Sequence, residues 1–531
     1  MLERTKVSRS MKYGNFLDAR KVELGANIES DLCIVGAGAA GITIAREFAN
    51  ANLRVCLLEA GGLSIEPAVN RLSEIDSVGH RYWANHGDIN ANRLRYFGGT
   101  TNHWGGHCAP LEPDDFEKQD WIAYSGWPYG YDELRPYYAR AHDVLGIGEF
   151  DYDPKVIGST LGFETFPFSQ TSVVTTVSRY NPVRFGLTYG EQLDRAGNIQ
   201  VILYADVSAV LMKDTASDHV NSVLVKTIAG NQFHVKARYF VIACGGIENA
   251  RVLLLSNQQR SSGVGNHSDL VGRFFQEHLW YPSGYILPRT GNLGLRYYLG
   301  ERPYGNIRVR AHLALPSDKV RELQIPKFRA EILTVSVARQ VAGAIRRKIS
   351  IDDVFALISD PVGIGTLVRC KSEAAPTAYQ LGNNVQQTPN PDSRVKLSAK
   401  KDPFDRPHPQ LDWKLSRLDQ EGVVKGQRLI AREVGRSGFG RMRIEMLEGS
   451  DDFLESCWGG AHHMGTTRMD EDPARGVTNG NAKVHHTHNL YVAGSSLFPT
   501  CGWSNPTLTI VATSIRLADH LKMRFQADGI L

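Results

Sequence analysis

The segment DLCIVGAGAAG, residues 31–41, decides the fold of this chain. Residues 31–36 form a short apolar run that is typical of a buried strand, and residues 39–51 fit a helix. A second apolar strand, residues 54–59, follows at once. The order of strand, glycine-rich turn, helix and strand predicts the first unit of a doubly wound parallel α/β sheet.

The three glycines of this turn meet separate structural requirements. Gly36 permits a tight turn, Gly38 lets a pyrophosphate approach the backbone, and Gly41 lets the helix pack on the sheet. The helix N-terminus then faces the phosphates, where its dipole favours negative charge. Glu59 ends the next strand, and a carboxylate there accepts both ribose hydroxyls of a nucleotide. The pattern predicts a dinucleotide-binding fold and leaves FAD and NAD both open.

Two later strands extend the same sheet. Residues 239–244 and residues 489–493 are apolar, and each run continues into glycine. The chain closes with a predicted helix from Pro506 to about Met523. Strands followed by glycine, taken from both ends of the chain, indicate one doubly wound sheet assembled from distant segments.

The middle of the chain is expected to form a second domain. Residues 410–415, for example, alternate in polarity, which is typical of an antiparallel strand. We expect a discontinuous dinucleotide-binding domain over residues 25–275 and 456–531, with a capping insertion near residues 150–195. Residues 276–455 are expected to form a domain built on an antiparallel sheet with helices, so that the whole chain is α+β.

Composition excludes several classes of protein. The chain has 531 residues and a net charge of +4, which is too small an excess of positive charge to indicate binding of nucleic acid. No apolar run is long enough for a transmembrane helix, and the N-terminus lacks the apolar core of a secretory signal. The seven cysteines include no CxxC pair, so neither a disulfide framework nor a zinc ribbon is expected. We therefore expect a cytoplasmic protein.

Three further motifs indicate a ligand site. GGTTNHWGG at residues 98–106 holds four glycines around a histidine and a tryptophan, which favours a loop moulded on a ligand over a surface turn. AHHMGTTRM at residues 461–469 and GSSLFPTCGWSNPT at residues 494–507 follow near the end of the chain. Asn505 also has the features of a helix N-cap, since proline follows it at the first helical position. A cap is compatible with a ligand contact, because a helix N-terminus stabilises an anion.

Together these motifs resemble the glucose–methanol–choline (GMC) oxidoreductase family. The fingerprint with Glu59, GGTTNHW, HHMGTTRM and GWSNPTLT stand in the family's order, and YFVIACGGIENAR and PNPDSRVKL at residues 389–397 add to the likeness. Within the family the chain is similar to the sugar and polyol branch that includes pyranose oxidase. The resemblance implies a Rossmann-like FAD-binding domain, a substrate-binding domain, and oxidation of an alcohol group of a sugar, polyol or glycoside.

The resemblance places the catalytic pair on His462 and Asn505. The family motif H-x-x-G-T selects His462 over His463 as the base. Alcohol oxidation moves a hydride from carbon to flavin N5, and the hydroxyl proton must go to another group. An imidazole with an ordinary pKa of about 6.5 accepts that proton at neutral pH. Asn505 then holds the substrate oxygen through its amide.

The resemblance also implies the contacts to FAD. His103 corresponds to a histidine that some members bond covalently to the flavin 8α-methyl group, whereas others bind FAD without this link, and both alternatives stay open. Gln386 and Trp503 are expected to line the substrate cavity. The expected FAD contacts are Gly36, Gly38, Gly41, Glu59, Gly98, Gly99, Thr101, Asn102, His103, Trp104, Gly105, Val207, Gly494, Ser495, Pro506 and Thr507.

Two alternative functions remain. As a dehydrogenase subunit, the chain would pass electrons to a quinone or haem partner instead of O2, and some such subunits are exported on a partner's signal. As a lyase on the same fold, it would carry out no net redox turnover, although the presence of both His462 and Asn505 argues against this. Loss of flavin absorbance on anaerobic addition of an alcohol separates the redox functions from the lyase.

Other segments carry weaker hypotheses. KVHHTH at residues 483–488 has no carboxylate or cysteine partner nearby, so no metal site is predicted. RQVAGAIRR at residues 339–347 is interpreted as a solvated helix face and not as a membrane-surface helix. For His278 structural packing is favoured over a place beside the flavin, and nothing marks Cys501 as a nucleophile.

Overall fold

The structure is a computed structural model, and residues 339–347 lie outside the part that it describes. Within that part, the chain folds around two large sheets, one parallel and one antiparallel, with separate hydrophobic cores. The described residues are 13–80, 82, 89–289, 295–334, 378–445, 453 and 457–531.

The first sheet is parallel and contains six strands among the described residues. The inner strand Leu32–Val35 is buried along its whole length, as expected for a parallel strand covered by helices on both faces. In spatial order the strands are Leu17–Asp18, Ile199–Leu203, Val55–Leu58, Leu32–Val35, Tyr239–Ile242 and Leu490–Val492. The predicted doubly wound sheet is therefore confirmed, including its assembly from both ends of the chain.

The second large sheet is antiparallel and lies over one end of the first sheet. Its main path runs Gly440–Ile444, His278–Pro288, Tyr379–Gln386, Phe328–Thr334, Ile307–Ala314, Val174–Tyr180 and His107–Cys108, with Arg302–Tyr304 and Trp458–Gly459 attached at its sides. The strand at 174–180 comes from the predicted capping insertion, so this sheet draws on chain segments outside residues 276–455. The domain limits themselves stay a prediction.

Two small sheets complete the described strands. One contains Asn27–Glu29, Gln232–Lys236, Val220–Lys226 and Asp206–Met212, and the other contains Arg394–Lys401, Pro407–Trp413 and Asp76–Gly79. The second of these pairs a strand near the N-terminus with the middle of the chain. It therefore ties the two parts of the molecule together.

The helices cover the parallel sheet and one side of the antiparallel sheet. Helix Thr507–Ala527 packs against helices Ala39–Glu47 and Tyr131–Leu145. The remaining α-helices are Pro67–Asn70, Pro154–Thr160, Phe185–Arg195, Glu248–Leu255, Ser317–Leu323 and Arg417–Arg436. Short 3₁₀ turns lie at Ala19–Lys21, Arg71–Ser73, Ile89–Asn92, Gly99–Asn102, Pro113–Asp115, Leu295–Tyr297 and Ser495–Leu497. Each helix in the described part of the chain is too short or too polar to cross a bilayer.

Candidate active site

A cavity of about 620 Å³ lies at the carboxyl ends of the parallel strands. Residues that follow those strands, such as Glu59 and Gly494, line one end. Side chains of the antiparallel sheet, such as Trp280 and Asn384, line the other end. Open α/β sheets bind their ligands at this edge.

The glycines of the turn at residues 36–41 have two different roles. Two of them allow close packing of the protein backbone, and the third leaves space in the cavity. A Cβ on Gly36, whose φ is +101°, would lie 2.6 Å from the carbonyl oxygen of Ala243, and a Cβ on Gly41 would lie 1.9 Å from the carbonyl oxygen of Gly36. A Cβ on Gly38 would meet no atom within 4 Å, although Gly38 lines the cavity. Protein packing therefore requires Gly36 and Gly41, and Gly38 leaves space for a ligand.

Glu59 lies at the cavity wall with its carboxylate held by the backbone. One oxygen accepts the N–H of Ala37 at 3.0 Å, and the other accepts the N–H of Gly61 at 2.9 Å. Burial raises the pKa of Glu59. Each carboxylate oxygen has a further lone pair, so the side chain keeps acceptor capacity for ribose hydroxyls.

The GGTTNHW loop presents His103 to the cavity. Asn102 fixes the loop from behind, because its amide donates to the Phe97 carbonyl at 2.8 Å and accepts the Gly186 N–H at 3.2 Å. The His103 ring lies beside Tyr96, with 5.8 Å between ring centroids. His103 is a solvent-exposed residue that lines the cavity.

His462 and Asn505 meet in the cavity wall. The amide Nδ2 of Asn505 donates to Nε2 of His462 at 3.1 Å, and both residues line the cavity. Burial, followed by the electrostatic effect of neighbouring side chains, holds the pKa of His462 well below its usual value. The imidazole is therefore neutral at neutral pH, which is the form that accepts a proton.

The expected helix cap at Asn505 is wrong. Helix Thr507–Ala527 begins after Pro506, and no side chain caps it. The amide of Asn505 is directed to His462 instead. The sequence pattern of asparagine before proline is the same in both cases, so it does not distinguish a cap from a contact across the cavity.

A buried carboxylate fixes the segment that carries His462. Glu277 accepts the backbone N–H groups of His462 at 2.9 Å and Gly460 at 3.0 Å, as well as the hydroxyl of Tyr82. Burial raises the pKa of Glu277 to about 7. The ring of His463 lies in this network, with Nε2 at 3.1 Å from the Tyr82 hydroxyl. Neither Glu277 nor Tyr82 belongs to a recognisable motif, so the sequence alone does not single them out.

A network of buried ion pairs lies at the end of the cavity that Glu59 lines. Arg95 pairs with Asp206 at 2.5 Å and with Glu248 at 2.8 Å, and Arg251 pairs with Asp402 at 2.7 Å. Burial alone would raise the pKa of Glu248, but the adjacent arginines lower it to about 2. The members come from segments far apart in sequence, so no local pattern predicts the network.

A row of polar side chains lines the opposite end. Trp280, Asn384 and Arg329 are direct cross-strand neighbours and therefore share one face of the antiparallel sheet. Glu331 lies next to them and pairs with Arg310 at 2.9 Å. The buried Arg329 Nε and Asn384 Oδ1 have no hydrogen-bond partner among the described residues. This end of the cavity therefore presents an indole ring and polar side chains.

The structure brings most of the predicted site residues to the cavity and leaves five outside its lining. Gln386 accepts the N–H of Lys327, and the buried Trp503 lies under the Arg329 guanidinium at 5.0 Å. Gly41, Gly98, Asn102, Gln386 and Trp503 are absent from the lining. The lining contains Gly36, Gly38, Glu59, Gly99, Thr101, His103, Trp104, Gly105, Val207, His462, Gly494, Ser495, Asn505, Pro506 and Thr507.

No cluster of metal ligands emerges from the described residues. They contain no group of three or more His, Cys, Asp or Glu side chains that could hold an ion. In the KVHHTH segment, His485 bonds through Nε2 to the Asp470 carbonyl at 2.8 Å. That histidine therefore has a structural partner.

Two family models match the sequence. The model described as FAD dependent oxidoreductase matches residues 31–317, which is more than half of the chain. The model described as GMC oxidoreductase matches residues 389–514. The second match includes both His462 and Asn505.

Curated relatives resemble the chain over nearly its whole length. Paromamine 6'-oxidase of Streptomyces fradiae is 27% identical, with 92% of this chain and 90% of that protein covered. The fructose dehydrogenase large subunit of Gluconobacter japonicus is 23% identical, with 93% and 98% covered. Pyranose 2-oxidase of Tricholoma matsutake is 23% identical, with 80% and 72% covered.

Solved structures share the fold. Formate oxidase superposes with a TM-score of 0.56 at 17% identity, covering 95% of this chain and 100% of that one. Pyridoxine 4-oxidase from Mesorbium loti gives a TM-score of 0.57 at 18% identity, covering 93% and 99%. The combination of a parallel sheet and a large antiparallel sheet is therefore that of these enzymes.

The cavity fits FAD. The Cβ positions of Gly38 and Gly494 meet no atom within 4 Å, so the backbone is open to a pyrophosphate where both residues line the cavity. Glu59 keeps acceptor capacity for a ribose, and the N-terminus of helix Thr507–Ala527 points into the same cavity, where its dipole favours negative charge. From these matches and this geometry, the chain belongs to the GMC oxidoreductase family of FAD-dependent enzymes, which act on alcohol groups.

Proposed function

We propose that this enzyme oxidises an alcohol group of a sugar, polyol or glycoside, with His462 as the proton acceptor and Asn505 as its partner. The observation that carries the proposal is the 3.1 Å contact between Asn505 Nδ2 and His462 Nε2 in the cavity wall. One neutral acceptor and one amide donor lie side by side there. This is the pair of groups that a reacting hydroxyl requires.

The two side chains have separate roles in the step. FAD, when bound, supplies the acceptor for the hydride that leaves the substrate carbon. The substrate hydroxyl replaces the Asn505 amide at His462 Nε2, and this nitrogen then takes the hydroxyl proton, so that the ring becomes an imidazolium. Its positive charge and the Asn505 amide then stabilise the negative charge that develops on the substrate oxygen. The proton and the electron pair therefore leave the alcohol in different directions.

The polar sheet face supports a hydroxyl-rich substrate. Trp280 contributes an indole ring to the cavity lining, while Asn384 and Arg329 contribute polar side chains. Ligand sites typically combine apolar and aromatic surface with a few polar groups that fix orientation. A carbohydrate-like ring offers both an apolar face and hydroxyl groups to such a surface.

The relatives support the same substrate class. Paromamine 6'-oxidase, fructose dehydrogenase and pyranose 2-oxidase carry substrate names of the sugar type. Two of these relatives are oxidases and one is a dehydrogenase. The electron acceptors to be compared are therefore O2, as for an oxidase, and a quinone or haem partner, as for a dehydrogenase.

An anaerobic screen tests the proposal. Purified holoenzyme is mixed with sugars, polyols, glycosides and aminoglycosides, and the flavin absorbance is followed before and after air is admitted. We expect bleaching by at least one carbohydrate-like alcohol, and a rapid return of colour if O2 is the acceptor. A His462→Ala variant that retains FAD is the control. If simple aliphatic alcohols alone bleach the flavin, the proposed substrate class is wrong.

A further inference from the structure

His278 lies directly behind the proposed base. Its Nδ1 is 2.8 Å from Nδ1 of His462, and the two rings are nearly perpendicular at 79°. On its other side, His278 Nε2 lies 3.2 Å from the carbonyl oxygen of Cys501. His278 is fully buried and does not line the cavity. It therefore contacts His462 without having access to a substrate.

These distances determine where the ring protons lie. A carbonyl oxygen only accepts hydrogen bonds, so the proton of a neutral His278 is on Nε2 and its Nδ1 is an acceptor. Burial lowers the pKa of His278 to about 4, in agreement with a neutral ring. The contact between the two Nδ1 atoms needs one proton, which His462 must supply. Nε2 of His462 then carries a lone pair, and this is the atom that accepts the Asn505 amide.

We propose that His278 is a positioning residue that holds His462 in the tautomer with its lone pair on Nε2, facing the cavity. The inference rests on the proposed function of His462 as the base. When Nε2 takes the hydroxyl proton, the Nδ1 proton stays in place, and its bond to His278 becomes charge-assisted and stronger. No second proton has to move during the step.

Glu277 and His278 are adjacent in sequence at the start of the strand His278–Pro288, and both hold His462 in place. Glu277 accepts the backbone N–H of His462, and His278, the next residue, accepts its ring N–H. The backbone and the ring of the base are therefore both fixed from the same short segment. The other titratable or charged groups that act on His462 are Arg329, His463 and His107, and Glu277 is the carboxylate that contacts its backbone.

Two substitutions at His278 separate positioning from packing. Asparagine places its Oδ1 near the position of the imidazole Nδ1, so His278→Asn keeps an acceptor for the His462 proton. Glutamine reaches the position of Nε2, so His278→Gln keeps a donor to the Cys501 carbonyl but loses that acceptor. Without the acceptor, His462 is free to place its proton on Nε2, and the lone pair no longer faces the cavity.

The measurement is stopped-flow flavin reduction with the alcohol that bleaches the flavin most strongly in the anaerobic screen. We expect His278→Gln to slow reduction by about 10²-fold or more, because a base in the wrong tautomer is inactive. His278→Asn should recover most of the rate. The apparent substrate dissociation constant and the FAD content should be similar in the two variants, since His278 does not line the cavity. The unfolding temperature should be no lower in His278→Gln than in His278→Asn, because only glutamine keeps the donor to the Cys501 carbonyl.

A second readout needs no substrate. In protein labelled with ¹⁵N-histidine, the His462 resonances should show a protonated Nδ1 and an unprotonated Nε2 in the wild type and in His278→Asn. In His278→Gln the Nε2-protonated tautomer should appear. His462→Ala serves to assign these resonances.

Each outcome decides a different claim. If both variants reduce at the wild-type rate while His462→Ala is slow, His278 has no positioning role and only this inference fails. If both are equally slow, with His462 in the wild-type tautomer, His278 is structural and the inference also fails. If His462→Ala itself is reduced at the wild-type rate, the proposed function fails and the inference falls with it.

Discussion

At the scale of single residues, the acid–base state of His462 controls the proposed proton transfer. Burial, followed by the effects of His278 and Arg329, lowers the pKa of His462. A base whose pKa is lowered keeps its proton-accepting form to a lower pH than usual. We expect the rate of flavin reduction to stay constant down to about pH 6.5, the ordinary pKa of histidine, and to fall only below it. Stopped-flow reduction at a series of pH values measures this in the wild type and in Glu277→Gln, because the pKa of Glu277 is about 7. A midpoint at or above about 6.5 that persists in Glu277→Gln would contradict the assignment.

Acid precipitation shows whether His103 is bonded covalently to the flavin. Its ring is exposed along the cavity, so it is accessible for a bond to the flavin. If the bond forms, acid precipitation leaves the yellow colour in the protein pellet, and His103→Ala moves the colour to the supernatant. If the wild-type supernatant already carries the colour, FAD is held without this bond, and His103 only packs beside it.

At the scale of elements, the turn before helix Ala39–Glu47 offers a matched pair of variants. A side chain on Gly38 meets no protein atom within 4 Å, so Gly38→Val should fold but fill the space of the pyrophosphate. A side chain on Gly41 would approach the carbonyl of Gly36 to 1.9 Å, so Gly41→Val should destabilise the fold itself.

The two variants are compared by flavin absorbance and thermal unfolding, with wild-type protein stripped of FAD as the reference. We expect Gly38→Val to be colourless with the unfolding temperature of the stripped protein, and Gly41→Val to unfold at a lower temperature. A yellow Gly38→Val protein would show that the turn does not cradle the cofactor.

Elements with a local signal were predicted well from sequence. The strand at 32–35, its helix and the strand at 55–58 are fixed by apolar runs and by glycines whose roles depend on near neighbours. The cap at Asn505 was predicted wrongly, because its amide is directed to His462, which is distant in sequence. Trp280, Asn384 and Arg329 are neighbours only through strand pairing, so no local pattern identifies them.

At the scale of the whole molecule, the two large sheets form opposite ends of the cavity. Residues that follow the parallel strands line one end of the cavity, and the antiparallel sheet forms the opposite wall. The proposed catalytic pair, His462 and Asn505, comes from loops near the end of the chain that line the same cavity. The function therefore depends on the docking of two sheets built from interleaved segments, which explains why the site residues are scattered over the sequence.

This division predicts different effects for two adjacent asparagines. Asn384 faces the cavity, whereas Asn383 is fully buried on the other face, beside Leu381 and Val385 in the hydrophobic core. Asn384→Ala should weaken substrate binding by about tenfold, the value of one hydrogen bond of about 1 kcal/mol or slightly more. Asn383→Ala should leave it unchanged. Substrate titrations of the flavin reduction rate compare the two, and equal effects would contradict the orientation of the sheet.

The central claim is that His462 accepts the substrate proton, and stopped-flow flavin reduction by a confirmed substrate tests it most directly. A positioned base contributes about 10²–10⁴-fold and an electrostatic donor about 10²–10³-fold, and these losses overlap when one side chain supplies both. We predict that His462→Ala slows reduction by about 10³-fold or more with FAD still bound. Asn505→Ala should lose less and keep its thermal stability, because Asn505 caps no helix. Reduction of a FAD-loaded His462→Ala enzyme at near the wild-type rate would contradict the account.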